Sequence, residues 1–212
     1  MKDLRFTLLS DGSSDQVLVP ILEWLLRRQG VSRPIQSVWA DLRRLRRPPE
    51  TLSEKIILSV DLFPCDLLFI HRDAETMGLD SRKAEISQAL AALPDLTLPA
   101  VCVIPIRMQE AWLLFEERAL RRAAGNPNGQ QPLIMPKLQD LELLSNPKEM
   151  LYELLREASG LHGRRRKKFP VQTGARRIVE FIEDFSPLLE LRAFRELDSD
   201  LRQTVRVHDW GT

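Results

Sequence analysis

Cysteine is nearly absent: two residues, Cys65 and Cys102, in 212. Each stands in an apolar context without a paired His or Cys motif, which excludes a disulfide framework and a thiolate zinc site and fits buried, reduced thiols. Aromatic residues are also scarce, at 6%. No apolar run approaches the roughly 20 residues needed to span a bilayer; the longest, Val17 to Leu26, is interrupted by Glu23. The N-terminal Met-Lys-Asp-Leu-Arg-Phe enters an expected strand with no signal-peptide apolar region or small-residue cleavage site, so no membrane association is expected and the cytoplasm is the expected location. No internal repeat is evident. Net charge is only +1, and the composition, 43% hydrophobic and 29% charged, excludes general disorder and fibrous architectures.

That near-neutral total conceals an uneven distribution. Arg43, Arg44, Arg46 and Arg47 form one basic cluster, and Arg164, Arg165, Arg166, Lys167 and Lys168 form a stronger one. Such runs attract phosphates by Coulomb attraction and counterion release, which makes nucleic acid the expected partner; a solvated loop is the alternative for each.

Apolar periodicity and punctuation predict the elements in order. Leu4 to Leu9 reads as a buried strand, Asp11-Gly12-Ser13-Ser14 as turn and cap, and Asp15 to Arg28 as a helix with Val17, Leu18, Ile21, Leu22 and Leu25 inward and Gly30 past its end. Ile35 to Ala40 is a second strand and Thr51 to Leu62 a second helix. Leu67-Leu68-Phe69-Ile70 has the composition of a central strand buried on both faces, running into His71-Arg72-Asp73-Ala74-Glu75. A third helix capped by Asp80 or Ser81 reaches about Leu93, and Ala100 to Ile104 is a fourth strand. This β-α-β-α-β-α-β order predicts an α/β fold with a four-stranded parallel sheet. Glu110 to Ala124 reads as a helix closed by Gly125. Asn146-Pro147-Lys148-Glu149 is a strong helix start with a capping-box pattern, and Thr173 to Phe185 and Pro187 to Val205 are further amphipathic helices. Two parts are expected: an α/β core over 1–125 and a helical extension over 126–212, with Gly163 to Pro170 as a basic loop inside it.

In an open parallel sheet the ligand site lies beyond the carboxyl ends of the strands. The acids fall there: Asp11 and Asp15 after strand one, Asp73 and Glu75 after strand three, Glu110 shortly after strand four. Carboxylates gathered from separate strand ends repel one another, and a bound hard cation, Mg²⁺ or Mn²⁺, offsets that repulsion. Alternate residues at a strand end can direct Asp73 and Glu75 toward one point. Each element also has a plain structural role: Asp11-Gly12 as a common turn, Asp15 and Glu110 as helix-start residues.

Asp11-Gly12-Ser13-Ser14-Asp15 after a strand resembles the Glu-Gly-x-Ser/Thr-Glu/Asp element of Toprim domains, and Asp73-Ala74-Glu75 resembles their Asp-x-Asp element. Toprim is the fold of primases, topoisomerases, the RNase that matures small ribosomal RNA, and the overcoming-lysogenization-defect nucleases. The segment Ile104-Pro105-Ile106-Arg107-Met108-Gln109-Glu110-Ala111-Trp112-Leu113-Leu114, with Asn146-Pro147-Lys148-Glu149, is similar to an uncharacterised bacterial family of standalone Toprim-like proteins. Here Asp11 stands for the usual glutamate and Glu75 for the usual second aspartate. A carboxylate survives at both positions, a change that metal binding tolerates better than proton transfer does.

The resemblance implies a metal-dependent nuclease, or another phosphoryl-transfer enzyme on nucleic acid. Asp73 and Glu75 would hold Mg²⁺ with Asp11 or Asp15, a nearby acid or base would move the proton, Asp11, Asp73 and Lys148 are the catalytic candidates, and Lys148 or Arg107 would stabilise developing negative charge. Glu110 is a further metal candidate, the run from Arg164 to Lys168 is the candidate nucleic-acid grip, and His71 sits beside the acidic pair. The alternative is a non-catalytic Toprim-like module that binds nucleic acid, nucleotide or a partner protein, such as an operon-encoded component of a phage-defence or toxin system. A small-molecule phosphate-ester hydrolase is disfavoured, because the first strand does not end in Asp-x-Asp.

Overall fold

The computed structural model describes residues 2–211, the side chain of Arg44 excepted. Four strands, β1 (Leu4–Leu9), β2 (Ile35–Ala40), β3 (Leu67–His71) and β4 (Ala100–Val103), form one all-parallel sheet in the order β2-β1-β3-β4. Helices α1 (Leu18–Arg28), α2 (Leu52–Leu62) and α3 (Leu79–Ala91) connect them. This is the α/β class that the sequence predicts, and it is consistent with a Toprim-like sheet.

Burial follows sheet position. β3 is buried along its whole length, as its unbroken apolar run requires, whereas edge strand β2 alternates between half-buried and exposed residues before ending at buried Ala40. Phe6 on β1 and Phe69 on β3 meet edge to face, with ring centroids 5.2 Å apart. Leu18, Ile21, Leu22, Leu25 and Leu26 supply the buried stripe of α1, and Gly30 takes a φ of +88° just past its end.

Several boundaries differ from expectation. The first helix divides into a 3-10 turn, Ser13–Val17, and then α1. Pro20 is the reason: it lacks an N–H and its ring opposes the carbonyl four residues back, so it is tolerated only in the first turn of an α-helix, where N–H groups have no intrahelical partner. Helix α3 is capped by Gly78, at φ +84°, rather than by Asp80 or Ser81; Asp80 lies in its first turn, where a carboxylate suits the macrodipole. The expected helix Glu110 to Ala124 is a 3-10 turn, Gln109–Leu113, followed by α4 (Glu117–Ala123). Consecutive residues Ala111 to Leu114 are all buried, which a one-sided amphipathic helix cannot achieve, and the Glu116 side chain accepts from the Arg118 N–H to start α4 afresh.

The chain divides into two compact units, one of residues 1–104 and 196–212, the other of residues 105–195. The expected boundary after residue 125 therefore falls inside the second unit, because α4 and the turn before it belong with the later helices. That unit also contains α5 (Pro147–Ala158), α6 (Gly163–Lys167) and α7 (Val171–Arg177). Helix α8 (Arg192–Val207) begins in it and continues into the first unit. The second unit's core includes Trp112 packed edge to face on Phe194, with centroids 5.0 Å apart. At the start of α5, Asn146 accepts from the Glu149 N–H at 3.1 Å as expected, but the Glu149 carboxylate returns to the Asn146 side-chain amide at 3.0 Å. The expected basic loop is instead helix α6, all of whose residues escape burial. Arg and Lys are good helix formers, and Pro170 biases the residue before it away from helix. Among the described residues, no helix is long and apolar enough to cross a membrane.

Candidate active site

In the order β2-β1-β3-β4, the chain leaves β1 toward β2 on one side and returns to β3 on the other. The crevice at the carboxyl ends of β1 and β3 is thus the switch point of the sheet, where neighbouring connections diverge and leave room for a ligand. An opening of about 290 Å³ is found there, lined by Asp11, Gly12, Asp15, His71, Arg72, Asp73, Glu75 and Arg82. Four of the sequence-predicted acids, Asp11, Asp15, Asp73 and Glu75, therefore share one cavity.

Each reaches it differently. Asp15 is only 5% exposed. Its Oδ2 accepts from the Gly12 N–H at 2.7 Å and its Oδ1 from Ser14 Oγ at 3.0 Å, so the turn after β1 closes on its own carboxylate. A Cβ at position 12 would approach Asp15 Oδ1 to 3.2 Å and Oδ2 to 3.3 Å, so any larger residue there would push the carboxylate by a few tenths of an ångström. Asp11 faces outward and is neutralised by two cations: Oδ1 meets Lys55 Nζ of α2 at 2.6 Å, and Oδ2 meets Arg72 Nε at 3.1 Å. Burial pushes the Asp11 carboxyl up, but Lys55, Arg72 and His71 together pull it further down, so it ends below its ordinary value. Arg72 also meets Glu85 of α3 at 3.3 Å, and Arg82 holds the same Glu85 at 2.5 Å while its Nε donates to the Asp73 carbonyl at 3.0 Å.

The strand pleat does not aim Asp73 and Glu75. β3 ends at His71, and both acids lie in the turn that follows, with Glu75 at φ +48°, a left-handed conformation uncommon for a residue with a Cβ. A turn of that shape makes their approach a property of the loop rather than of strand alternation.

His71 is the residue that sequence reasoning noticed without giving a role. It is 4% exposed, and its Nδ1 lies 2.9 Å from the Val103 carbonyl on β4. A carbonyl only accepts, so Nδ1 carries the proton and Nε2 is the nitrogen turned to the cavity. Nε2 lies 3.9 Å from Asp15 Oδ2 and 3.7 Å from Asp73 Oδ1, so the two carboxylates flank one imidazole. Lys55, Arg82 and Glu85 had no one-dimensional signal: they sit on helices at ordinary spacing, and only the packing of α2 and α3 brings them to the strand ends.

The carboxylate oxygens are the donor chemistry of Mg²⁺ or Mn²⁺ sites, whereas an imidazole nitrogen suits softer ions such as Zn²⁺. Among the described residues, however, no three His, Cys, Asp or Glu side chains are assembled into a ready-made metal cage. The donor set fits the way Mg²⁺ is commonly held, through one or two carboxylates with waters and substrate phosphates completing the octahedron.

The remaining candidates lie in the second unit. Glu110, in the 3-10 turn after β4, is buried, and its Oε1 is 3.7 Å from Lys148 Nζ at the start of α5, so these two pair with each other. Arg107 has a φ of +69°. On α6, Arg164, Arg165 and Lys167, with Lys168 just after, are exposed, while Arg166 turns to Glu153 and Glu157 of α5 at 3.3 and 3.8 Å.

No protein-family model, no curated protein and no solved structure matches the chain.

Proposed function

We propose that the chain is a metal-dependent phosphoryl-transfer enzyme of Toprim type that cleaves nucleic acid, with the opening between β1 and β3 as its reaction centre. The observation that carries this reading is the gathering of Asp11, Asp15, Asp73 and Glu75 with Arg72 and Arg82 around one cavity at the switch point of the sheet. Acids alone would repel a phosphodiester and bases alone would only bind it; both together suit a reaction in which charge builds on phosphate oxygens.

Asp15 and Asp73, on either side of His71, are the residues that would hold Mg²⁺ or Mn²⁺, with Glu75 beside them. The ion, when bound, supplies Lewis acidity for phosphodiester hydrolysis. His71 Nε2 is placed to accept a proton from an attacking water, its orientation held by the Val103 carbonyl. Arg72 and Arg82, braced by Glu85, are the donors available to phosphate oxygens. Asp11 serves to position Lys55 and Arg72. The exposed bases of α6 grip the nucleic-acid backbone.

One observation favours a second reading, a non-catalytic module that binds nucleic acid, nucleotide or an operon-encoded protein partner. Both oxygens of Asp11, one of the catalytic candidates, are taken by cations. Incubating the purified protein with labelled single- and double-stranded DNA and RNA, in Mg²⁺, Mn²⁺ or EDTA, separates the two. Metal-dependent cleavage that Asp73→Asn abolishes supports the enzyme, whereas metal-independent binding without cleavage supports the module.

A further inference from the structure

The edge strand β2 runs beside β1, and its carboxyl end carries an aromatic and arginine array that the proposed reaction centre does not use. Trp39 is half-buried, and its indole Nε1–H donates to Ser10 Oγ at 2.8 Å. Ser10 directly precedes Asp11, so the indole is anchored to the rim of the acidic opening. The Arg43 guanidinium lies 5.4 Å from the centroid of the Trp39 ring, and its Nε donates to Asp41 Oδ1 at 2.8 Å. That hydrogen bond, and more weakly the charge of Asp41 and of Asp15, pushes the already high pKa of Arg43 higher; Arg43 thus stands in the field of a residue lining the opening. Arg46 and Arg47 follow, both exposed.

A surface arginine over an indole needs no ligand to account for it. Such a pair does not, however, require two more exposed arginines after it, nor an indole pinned by a hydrogen bond beside a polar cavity. An indole with a guanidinium over it and further guanidinium groups beside it is recognition chemistry for unpaired bases: a base stacks on the aromatic and guanidinium planes and the phosphates meet the arginines. Bases in a duplex already stack on one another and offer no open face. Because Trp39 and Arg43 are each held by a second bond, little side-chain freedom is lost when a base lands on them.

We propose that Trp39, Arg43, Arg46 and Arg47 form a platform for single-stranded nucleic acid, on which one base extends the Trp39–Arg43 stack while Arg46 and Arg47 hold the neighbouring phosphates. The direction of the bound strand, leading from the platform to the acidic opening, rests on the reading of that opening as a phosphodiester-cleaving site; the platform itself does not.

The test measures fluorescence anisotropy of labelled oligothymidylate, of an RNA of equal length and of a DNA duplex, in EDTA, with the full chain and two variants. The parent should bind the single strands more tightly than the duplex. Trp39→Leu should weaken single-strand binding roughly tenfold, as expected for the loss of one stacked base. The double variant Arg46→Ser/Arg47→Ser should flatten the dependence of log K on log salt by about 0.7 units for each phosphate no longer neutralised. Circular dichroism melts check that both variants fold; the arginine pair is exposed, so this arm survives any instability of Trp39→Leu. Preference for the duplex, no binding by the parent, or equal affinity and salt slope in all three proteins overturns the platform. Cleavage is scored separately in Mg²⁺ and Mn²⁺. Trp39-dependent binding without cleavage keeps the platform and removes the enzyme reading, while cleavage at unchanged Trp39→Leu affinity does the reverse.

Discussion

Replacing Asp15 by alanine should damage both the fold and the proposed ion site, in amounts that can be separated. The buried carboxylate accepts two hydrogen bonds, from the Gly12 N–H at 2.7 Å and Ser14 Oγ at 3.0 Å. Bonds to a charged acceptor contribute about 1.5–3 kcal/mol each, and relief of repulsion with Asp73 across His71 offsets part of the loss, so we expect a net cost of about 2 kcal/mol. For a chain of this size that lowers Tm by roughly 4–8 °C. Asp15→Asn keeps an acceptor for the Gly12 N–H and should lose roughly half as much. Differential scanning fluorimetry in EDTA reads these values, and repeating it in Mn²⁺ reads the site. At about a hundredfold excess over Kd, the parent gains about 2.7 kcal/mol, or roughly 5–10 °C, whereas Asp15→Asn should gain nothing. An Asp15→Ala protein that melts with the parent in EDTA refutes the structural half of this reasoning. An Asp15→Asn protein that keeps the full Mn²⁺ shift refutes the other half.

Asp73→Asn should leave Tm in EDTA unchanged or slightly raised and eliminate Mn²⁺ heat in calorimetry, since one of several crowded charges is removed from a 24% exposed side chain. Changing Arg164, Arg165, Lys167 and Lys168 to Ser should weaken nucleic-acid binding alike across sequences and lower the salt slope by about 0.7–0.9 for each phosphate that the variant ceases to neutralise; an unchanged slope would mean that α6 is only a solvated helix. Burial pushes the Asp66 carboxyl up, but the Arg5 N–H and side chain and Lys2 bring it below its ordinary value. Its stabilising effect is therefore present above the unfolded-state pKa and lost as pH falls through the folded one, so acid melts below about pH 4 should be shallower in Asp66→Asn than in the parent. Burial, aided by Asp200, pushes the Cys102 thiol up to about 11; native protein at pH 7 should take up iodoacetamide at Cys102 far more slowly than unfolded protein.

Much of the α/β unit was legible in one dimension because its signals are local. Leu4–Leu9, apolar apart from Arg5 and Thr7, and the unbroken run Leu67 to Ile70 have the composition of strands in the sheet interior, and the apolar spacing from Thr51 to Leu62 marks α2. The acids Asp11, Asp15, Asp73 and Glu75 could be placed together because the carboxyl ends of parallel strands necessarily share one side of a sheet. Other features depended on distance in space. The order β2-β1-β3-β4 makes β1 and β3 neighbours, and with it come Lys55 on Asp11, the Val103 carbonyl on His71 and the Glu85 brace between Arg72 and Arg82. Most of these pairs join different elements and so have no periodicity or spacing to reveal them; Arg82 and Glu85, three residues apart on α3, are the exception. Glu110 and Lys148 show the converse: read separately as metal ligand and stabiliser of developing charge, they are an ion pair of the second unit, because the fold of 105–195 brings α5 to the turn after β4. Local propensity determined which segments became strands and helices; the packing of helices on the sheet decided which charges met.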